Sequence, residues 1–101
     1  MKKILKKEKL KLSIRFQIAE TETFEQQKAL YKYSKLYLKI KDYIYPQLRN
    51  NPFFGTNIKK LKGELEKYHR YRIGNFRLFY MIDSEKKIVI ITGIEDRKDA
   101  Y

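Results

Sequence analysis

The organisation of the chain follows from Tyr68-His69-Arg70-Tyr71-Arg72-Ile73-Gly74-Asn75-Phe76-Arg77-Leu78-Phe79-Tyr80. Around Gly74-Asn75 large apolar side chains alternate with charged ones, the period of a strand with one buried face, and the pair itself is a two-residue hairpin turn. With that turn length Ile73 faces Phe76, Arg72 faces Arg77, Tyr71 faces Leu78 and Arg70 faces Phe79. Tyr71, Ile73, Phe76, Leu78, Tyr80 and Ile82 then form an apolar face fit to receive helices, while Arg70, Arg72 and Arg77 share the opposite face. Arginines set directly across a sheet repel each other and cost stability, so a fold that concentrates them marks a candidate anion site. The alternative is that they splay into solvent or pair with Glu64, Glu66 or Glu95. Tyr68 and Phe79 on the arginine face favour the first reading, because aromatics beside guanidinium groups suit bases stacked between clamped phosphates.

Outward from the hairpin, a third strand-like run covers about 87–94 beyond the turn Asp83-Ser84-Glu85-Lys86. Ile88 to Ile91 is apolar throughout, so this strand is expected inside the sheet with both faces covered. Upstream, Asn50-Asn51-Pro52-Phe53-Phe54-Gly55-Thr56-Asn57 opens a loop expected to reach Gly63, anchored to the core by Phe53 and Phe54. Leu36, Ile40, Tyr43, Ile44 and Leu48 recur at helical spacing, with Pro46 expected to kink or end that helix near Tyr45. An earlier helix is expected to start near Phe24, capped by Thr23 and Gln26, and to run to about Tyr33, with the break near Ser34. Leu10, Leu12, Ile14, Phe16 and Ile18 alternate with polar residues as a first strand. The order is β-α-α-β-β-β: an α+β domain with a twisted, mostly antiparallel sheet and an N-terminal helical hairpin packed on one face.

The whole chain has 101 residues, enough for one core and not for a second domain. Residues 10–101 are read as that domain and 1–9 as a basic extension. Nine Tyr and six Phe require a core or a stacking partner, which separates the chain from a disordered polybasic tail. No apolar run approaches a membrane span and the N-terminus lacks a signal peptide's apolar stretch, so a cytoplasmic location and no membrane partner are expected. With no Cys and one His, disulfides, thiol nucleophiles and Cys-based zinc sites are excluded. The net charge of +12 points to a polyanion, through counterion release at each phosphate contact. Residues 1–49 carry 13 Lys and Arg against 5 Asp and Glu, but six of these cations are lysines within the first eleven residues, equally suited to solubility.

Asn51-Pro52-Phe53-Phe54-Gly55, Leu61-Lys62-Gly63, the hairpin quoted above and Gly93-Ile94-Glu95-Asp96-Arg97-Lys98-Asp99-Ala100-Tyr101 together resemble the RelE/ParE superfamily of bacterial toxins. The resemblance covers most of the chain from Leu10 onward, and the derived element order agrees with that family's fold. It implies the toxin component of a type II toxin-antitoxin system and, for RelE-type members, a ribosome-dependent endoribonuclease that cuts mRNA in the ribosomal A site. In that chemistry, with neither metal nor cofactor, the ribose 2′-hydroxyl attacks the adjacent phosphate and leaves a 2′,3′-cyclic phosphate and a 5′-hydroxyl. Cations must stabilise the phosphorane while other groups move the two protons.

By resemblance Arg77 stabilises the transition state, Arg70 and Arg72 clamp the phosphate, and Arg97 with Tyr101 forms the C-terminal pair. Tyr101 either stacks on a base, moves a proton or packs as a terminal aromatic. Lys59, Lys60, Lys62, Tyr68, Phe79 and Lys98 are the candidate RNA contacts. Several relatives carry His before the C-terminal arginine or a basic residue two positions before it, where this chain has Asp96 and Glu95. Another branch places a carboxylate base where this chain has Ile58-Lys59-Lys60. Glu66, on the parity of Arg70 and Arg72, is the candidate base if the strand begins that early; otherwise it is a salt-bridge partner. His69 falls on the helix side as a structural residue, and arginine itself is a poor base. The partners implied are a small acidic antitoxin, the ribosome with its mRNA, and promoter DNA only through the antitoxin. The alternatives are a ParE-type toxin that binds DNA gyrase without catalysis, and a catalytically weak RNA- or ribosome-binding module.

Overall fold

The computed structural model describes residues 15–97. Strand β1 (Gln17–Glu20) leads into helix α1 (Glu22–Lys28). A single 3-10 turn (Tyr31–Tyr33) precedes α2 (Ser34–Lys39), which passes through a π turn (Ile40–Ile44) into α3 (Tyr45–Asn50). Four strands follow: β2 (Ile58–Lys60), β3 (His69–Ile73), β4 (Phe76–Asp83) and β5 (Ile88–Asp96). They form one sheet in the order β1-β5-β4-β3-β2, antiparallel except where β1 runs parallel to β5. The α+β architecture, with a helical hairpin on one face of a mostly antiparallel sheet, is as expected from the sequence. The part of the first strand expected at residues 10–14 lies outside the described residues.

The core lies between the helices and the expected apolar face. Phe24, Tyr33, Ile40, Ile44, Tyr45 and Leu48 from the helical side meet Tyr71, Ile73, Leu78, Tyr80, Val89, Ile91 and Ile94 from the sheet. Gly74 takes φ +56° at the first of the two turn residues, the position where a type II′ hairpin requires glycine. The β3–β4 register is that expected from the turn: Ile73 with Phe76, Arg72 with Arg77, Tyr71 with Leu78, Arg70 with Phe79.

Several local expectations are corrected. The first helix is capped by Thr21, whose side chain accepts from the Phe24 N–H at 3.2 Å, and not by Thr23. It ends at Lys28, because Leu30 is extended and turns the chain so that Tyr33 packs edge-on against Phe76 at 5.8 Å. Ser34 therefore opens the second helix rather than breaking the hairpin. Pro46 does not end that helix. The π turn ahead of it bonds the Tyr45 N–H to the Ile40 carbonyl, so Pro46 falls in the first turn of the next segment, where its missing N–H costs little. The expected loop to Gly63 contains β2, which pairs Ile58 with Tyr71 and Lys59 with Arg70. Loop anchoring falls to Pro52, buried with its carbonyl accepting from the Tyr80 hydroxyl at 2.7 Å, and to Phe53 against Phe16; Phe54 is exposed. β5 lies inside the sheet, but within the run Ile88 to Ile91 only the helix-side Val89 and Ile91 are buried, and Ile88 and Ile90 are half-buried on the open side.

Glu20 ties β1 to all three helices. Its carboxylate accepts from Tyr45 at 2.6 Å, from Tyr37 at 2.8 Å and from Lys28 at 2.7 Å. Burial pushes this carboxyl up, but the hydrogen bonds from Lys28, Tyr45 and Tyr37 outweigh it and hold it below its ordinary value. Beyond β1 the edge of β5 is satisfied by a side chain: the Gln27 amide donates to the Ile94 carbonyl at 3.1 Å and accepts from the Ile94 N–H at 2.9 Å.

Candidate active site

The open face of the sheet carries a cleft of about 270 Å³ lined by Lys59, Leu61, Arg70, Arg72, Gly74, Arg77 and Arg97. Alternation on three adjacent strands delivers the cations: Lys59 beside Arg70 across β2–β3, and Arg72 beside Arg77 across β3–β4. Arg97 follows the end of β5, fixed by its backbone N–H donating to the Asn75 carbonyl at 2.8 Å. At the other side Asn57 accepts from the Arg72 N–H at 2.9 Å and from Arg70 Nη1 at 3.5 Å, the limit of hydrogen-bond distance. Among the described residues none of Arg70, Arg72, Arg77 and Arg97 forms an ion pair. Burial lowers the pKa of Arg70, and the charges of Arg72 and Arg77 lower it further. The cleft is thus lined by mutually repelling cations that form no ion pair among the described residues, the condition for binding phosphate oxygens.

A second groove, of about 530 Å³, adjoins it through Leu61 and is lined by Tyr68, Phe79, Thr92, Gly93 and Glu95 from the sheet side together with Leu65 and Gln27. Its aromatic lining beside the cationic cleft gives the combination required for a stacked base next to a held phosphate. Of the expected RNA contacts, Lys59 lies in the cleft and Tyr68 and Phe79 in the groove. Lys60 has the opposite strand parity and faces the His69 position, and Lys62 is exposed ahead of the 3-10 turn Gly63–Leu65. Lys98 and Tyr101 lie outside the described residues. Glu66 lies in the turn that follows Leu65, because β3 begins only at His69; the strand position that would align it with Arg70 does not exist, and it lines neither cleft nor groove. His69 is buried on the helix side, stacked on Tyr80 at 5.5 Å and edge-on to Phe53 at 6.4 Å. Its pKa is lowered by burial and then by Lys60, and its Nδ1 is buried with no hydrogen-bond partner.

The sequence offers Glu95 only as an ion-pair partner for the arginines. Simple alternation from Val89 and Ile91 would put Glu95 on the helix side. A bulge shifts the register so that Tyr80 pairs with Ile91 but Phe79 with Gly93, leaving Thr92 as the extra residue. Thr92 is held there by donating to the Phe79 carbonyl at 3.1 Å and accepting from Thr21 at 3.3 Å. Ile94 then turns into the core and Glu95 emerges beside Arg77. Gly93, a glycine inside a strand, was the available signal.

A domain of this form, a helical hairpin on an open five-stranded sheet with arginines gathered on the bare face, shares its architecture with solved toxins of toxin-antitoxin complexes. The family model described as "ParE toxin of type II toxin-antitoxin system, parDE" matches residues 2–101, and the chain belongs to that family. Solved structures with the same fold include the toxin-antitoxin complex RelBE2 from Mycobacterium tuberculosis, at 23% identity and TM-score 0.65, covering 83% of this chain and 100% of that one. A YoeB/ParE toxin from Agrobacterium tumefaciens is 16% identical at TM-score 0.68, covering 80% and 98%. The YoeB dimer from Staphylococcus aureus is 23% identical at TM-score 0.61, covering 78% and 93%. A comparison with curated proteins finds no match. Among the described residues no helix is long and apolar enough to cross a membrane.

Proposed function

We propose that this toxin is a ribosome-dependent endoribonuclease that cleaves mRNA by attack of a ribose 2′-hydroxyl on the adjacent phosphate. The observation that carries the reading is the convergence of Lys59, Arg70, Arg72, Arg77 and Arg97 on one cleft beside an aromatic groove. Arg70 and Arg72 hold the non-bridging oxygens of the scissile phosphate. Arg77, at the centre of the row, meets the charge that grows on those oxygens as the phosphorane forms, which is where a preorganised cation lowers the barrier. Tyr68 and Phe79 offer a surface for a neighbouring base, and Arg97 closes the cleft with Tyr101 following it. Lys60, Lys62, Lys98 and the N-terminal lysines steer the protein toward ribosomal RNA.

A small acidic antitoxin laid over the cationic face would neutralise it; solved relatives of the fold include toxin-antitoxin complexes. Promoter DNA is contacted through that antitoxin. A second reading, non-catalytic inhibition of DNA gyrase, is favoured by the family model being that of ParE. Induced expression of Arg77→Ala separates the two. Loss of growth arrest with a wild-type melting curve is expected of the ribonuclease, and full toxicity of the folded variant would remove Arg77 from the mechanism.

A further inference from the structure

The proposed cleavage needs a group to take the 2′ proton, and among the described residues the cleft is lined by arginines, Lys59, Leu61 and Gly74, with no carboxylate or imidazole; guanidinium groups remain protonated near neutral pH, and Glu66 is on a turn away from it. Glu95 is the carboxylate that the sheet itself delivers. It sits directly across from Arg77, on the same face as Arg70, Arg72 and Phe79, and lines the groove into which the aromatic residues point. Directly opposed residues of antiparallel strands hold their Cβ atoms about 5 Å apart, yet Glu95 and Arg77 do not close into an ion pair. A carboxylate and a guanidinium that stand side by side without clasping leave room for a group to be held between them. The placement also depends on a special backbone feature: without the bulge at Thr92, Glu95 would point toward the helices.

We propose that Glu95 is the catalytic base of the ribonuclease, a role that rests on the reading given above. The 2′-hydroxyl gives its proton to the Glu95 carboxylate as the 2′ oxygen bonds to phosphorus. The bond from phosphorus to the 5′ oxygen breaks, and that oxygen takes a proton from water. Glu95 then returns its proton to solvent, so the overall reaction consumes and releases no net proton. Arg77 donates hydrogen bonds to the phosphorane throughout and transfers none.

Charge alone makes the opposite forecast from proton transfer, which gives a clean test. Glu95→Gln removes a negative charge beside a phosphate site, so a purely electrostatic Glu95 would bind RNA more weakly and cleave more slowly than its glutamine variant. A catalytic base contributes on the order of 10²-fold or more. The experiment measures single-turnover cleavage of mRNA on programmed ribosomes by the full-length wild type, Glu95→Gln and Glu95→Ala, with ribosome binding measured in parallel. The side chain is half-exposed and loses at most one cross-strand charge pair with Arg77, so both variants should fold and melt within a few degrees of the wild type. Expected are equal or tighter binding and a rate at least ~100-fold lower for both. If wild type cleaves and the folded variants cleave within about three-fold of it, Glu95 is not the base and the ribonuclease reading stands. If wild type leaves ribosome-bound mRNA intact, both fall.

Discussion

Replacing Arg72 with Gln should make the protein more stable while weakening its site. In the sheet Arg72 stands across from Arg77 and beside Arg70, close to Arg97, and no carboxylate is set opposite it. Arg77 is different, because Arg72 lies on one side of it and Glu95 on the other, so its repulsion and attraction largely offset. Cross-strand charge pairs are worth roughly 0.2–1 kcal/mol each. Relieving one such repulsion and part of a second in Arg72→Gln should therefore gain about 0.5–1 kcal/mol, whereas Arg77→Gln should change stability by less than about 0.3 kcal/mol. For a domain of this size 1 kcal/mol moves the melting temperature by roughly 4–8 °C, so Arg72→Gln is expected to melt about 2–8 °C higher. The gain should shrink with salt, since the Debye length falls from about 10 Å at 0.1 M to 3 Å at 1 M. Thermal melts in 50 mM and 1 M NaCl check both statements. A variant less stable than wild type at low salt, or a gain untouched by 1 M salt, would refute the claim that the site is held together against its own charge.

Glu20→Gln should destabilise by about 1.5–3 kcal/mol at pH 7, the worth of hydrogen bonds to a charged group, read from urea unfolding. Because the folded Glu20 pKa lies below its unfolded value of 4.5, the network's contribution is present above that value and is lost as pH falls through the lower folded one. The variant should lack that acid loss. For His69 the folded pKa is also lowered, here below 6.5, so both states are neutral above it and the unfolded chain alone takes a proton as pH falls. Wild-type stability should decline from pH 7.5 to 5.5, and His69→Phe, which keeps the stack on Tyr80 and removes the unpartnered Nδ1, should decline less; equal slopes would count against the buried neutral imidazole.

The parts of the fold visible in the sequence were those fixed by short-range rules. A Gly74-Asn75 turn with clean alternation on both sides leaves a single register, and through it the arginine row was readable residue by residue. Helix ends were less legible because competing signals lay two residues apart: Thr21 and Thr23 both suit a cap, and only the docking of α1 against β5 selects Thr21. Pro46 reads as a kink or an end near Tyr45; the helix is interrupted there but continues, because a π turn, which has no sequence signature of its own, moves the proline into a first turn. β2 escaped notice because Lys59-Lys60 has little strand preference and is extended only by pairing with β3. Glu95 was hidden for a different reason. Its face depends on one extra residue in β5, and strand parity inverts at a bulge, so alternation alone assigns Glu95 to the helix side.

The most direct test of the central claim is primer extension on mRNA from a translation reaction containing the purified full-length protein, with and without ribosomes. Cuts that appear only with ribosomes, within codons occupying the A site, and that vanish for Arg77→Ala are the predicted result. Intact mRNA in that reaction, together with inhibited gyrase supercoiling at the same protein concentration, would contradict it.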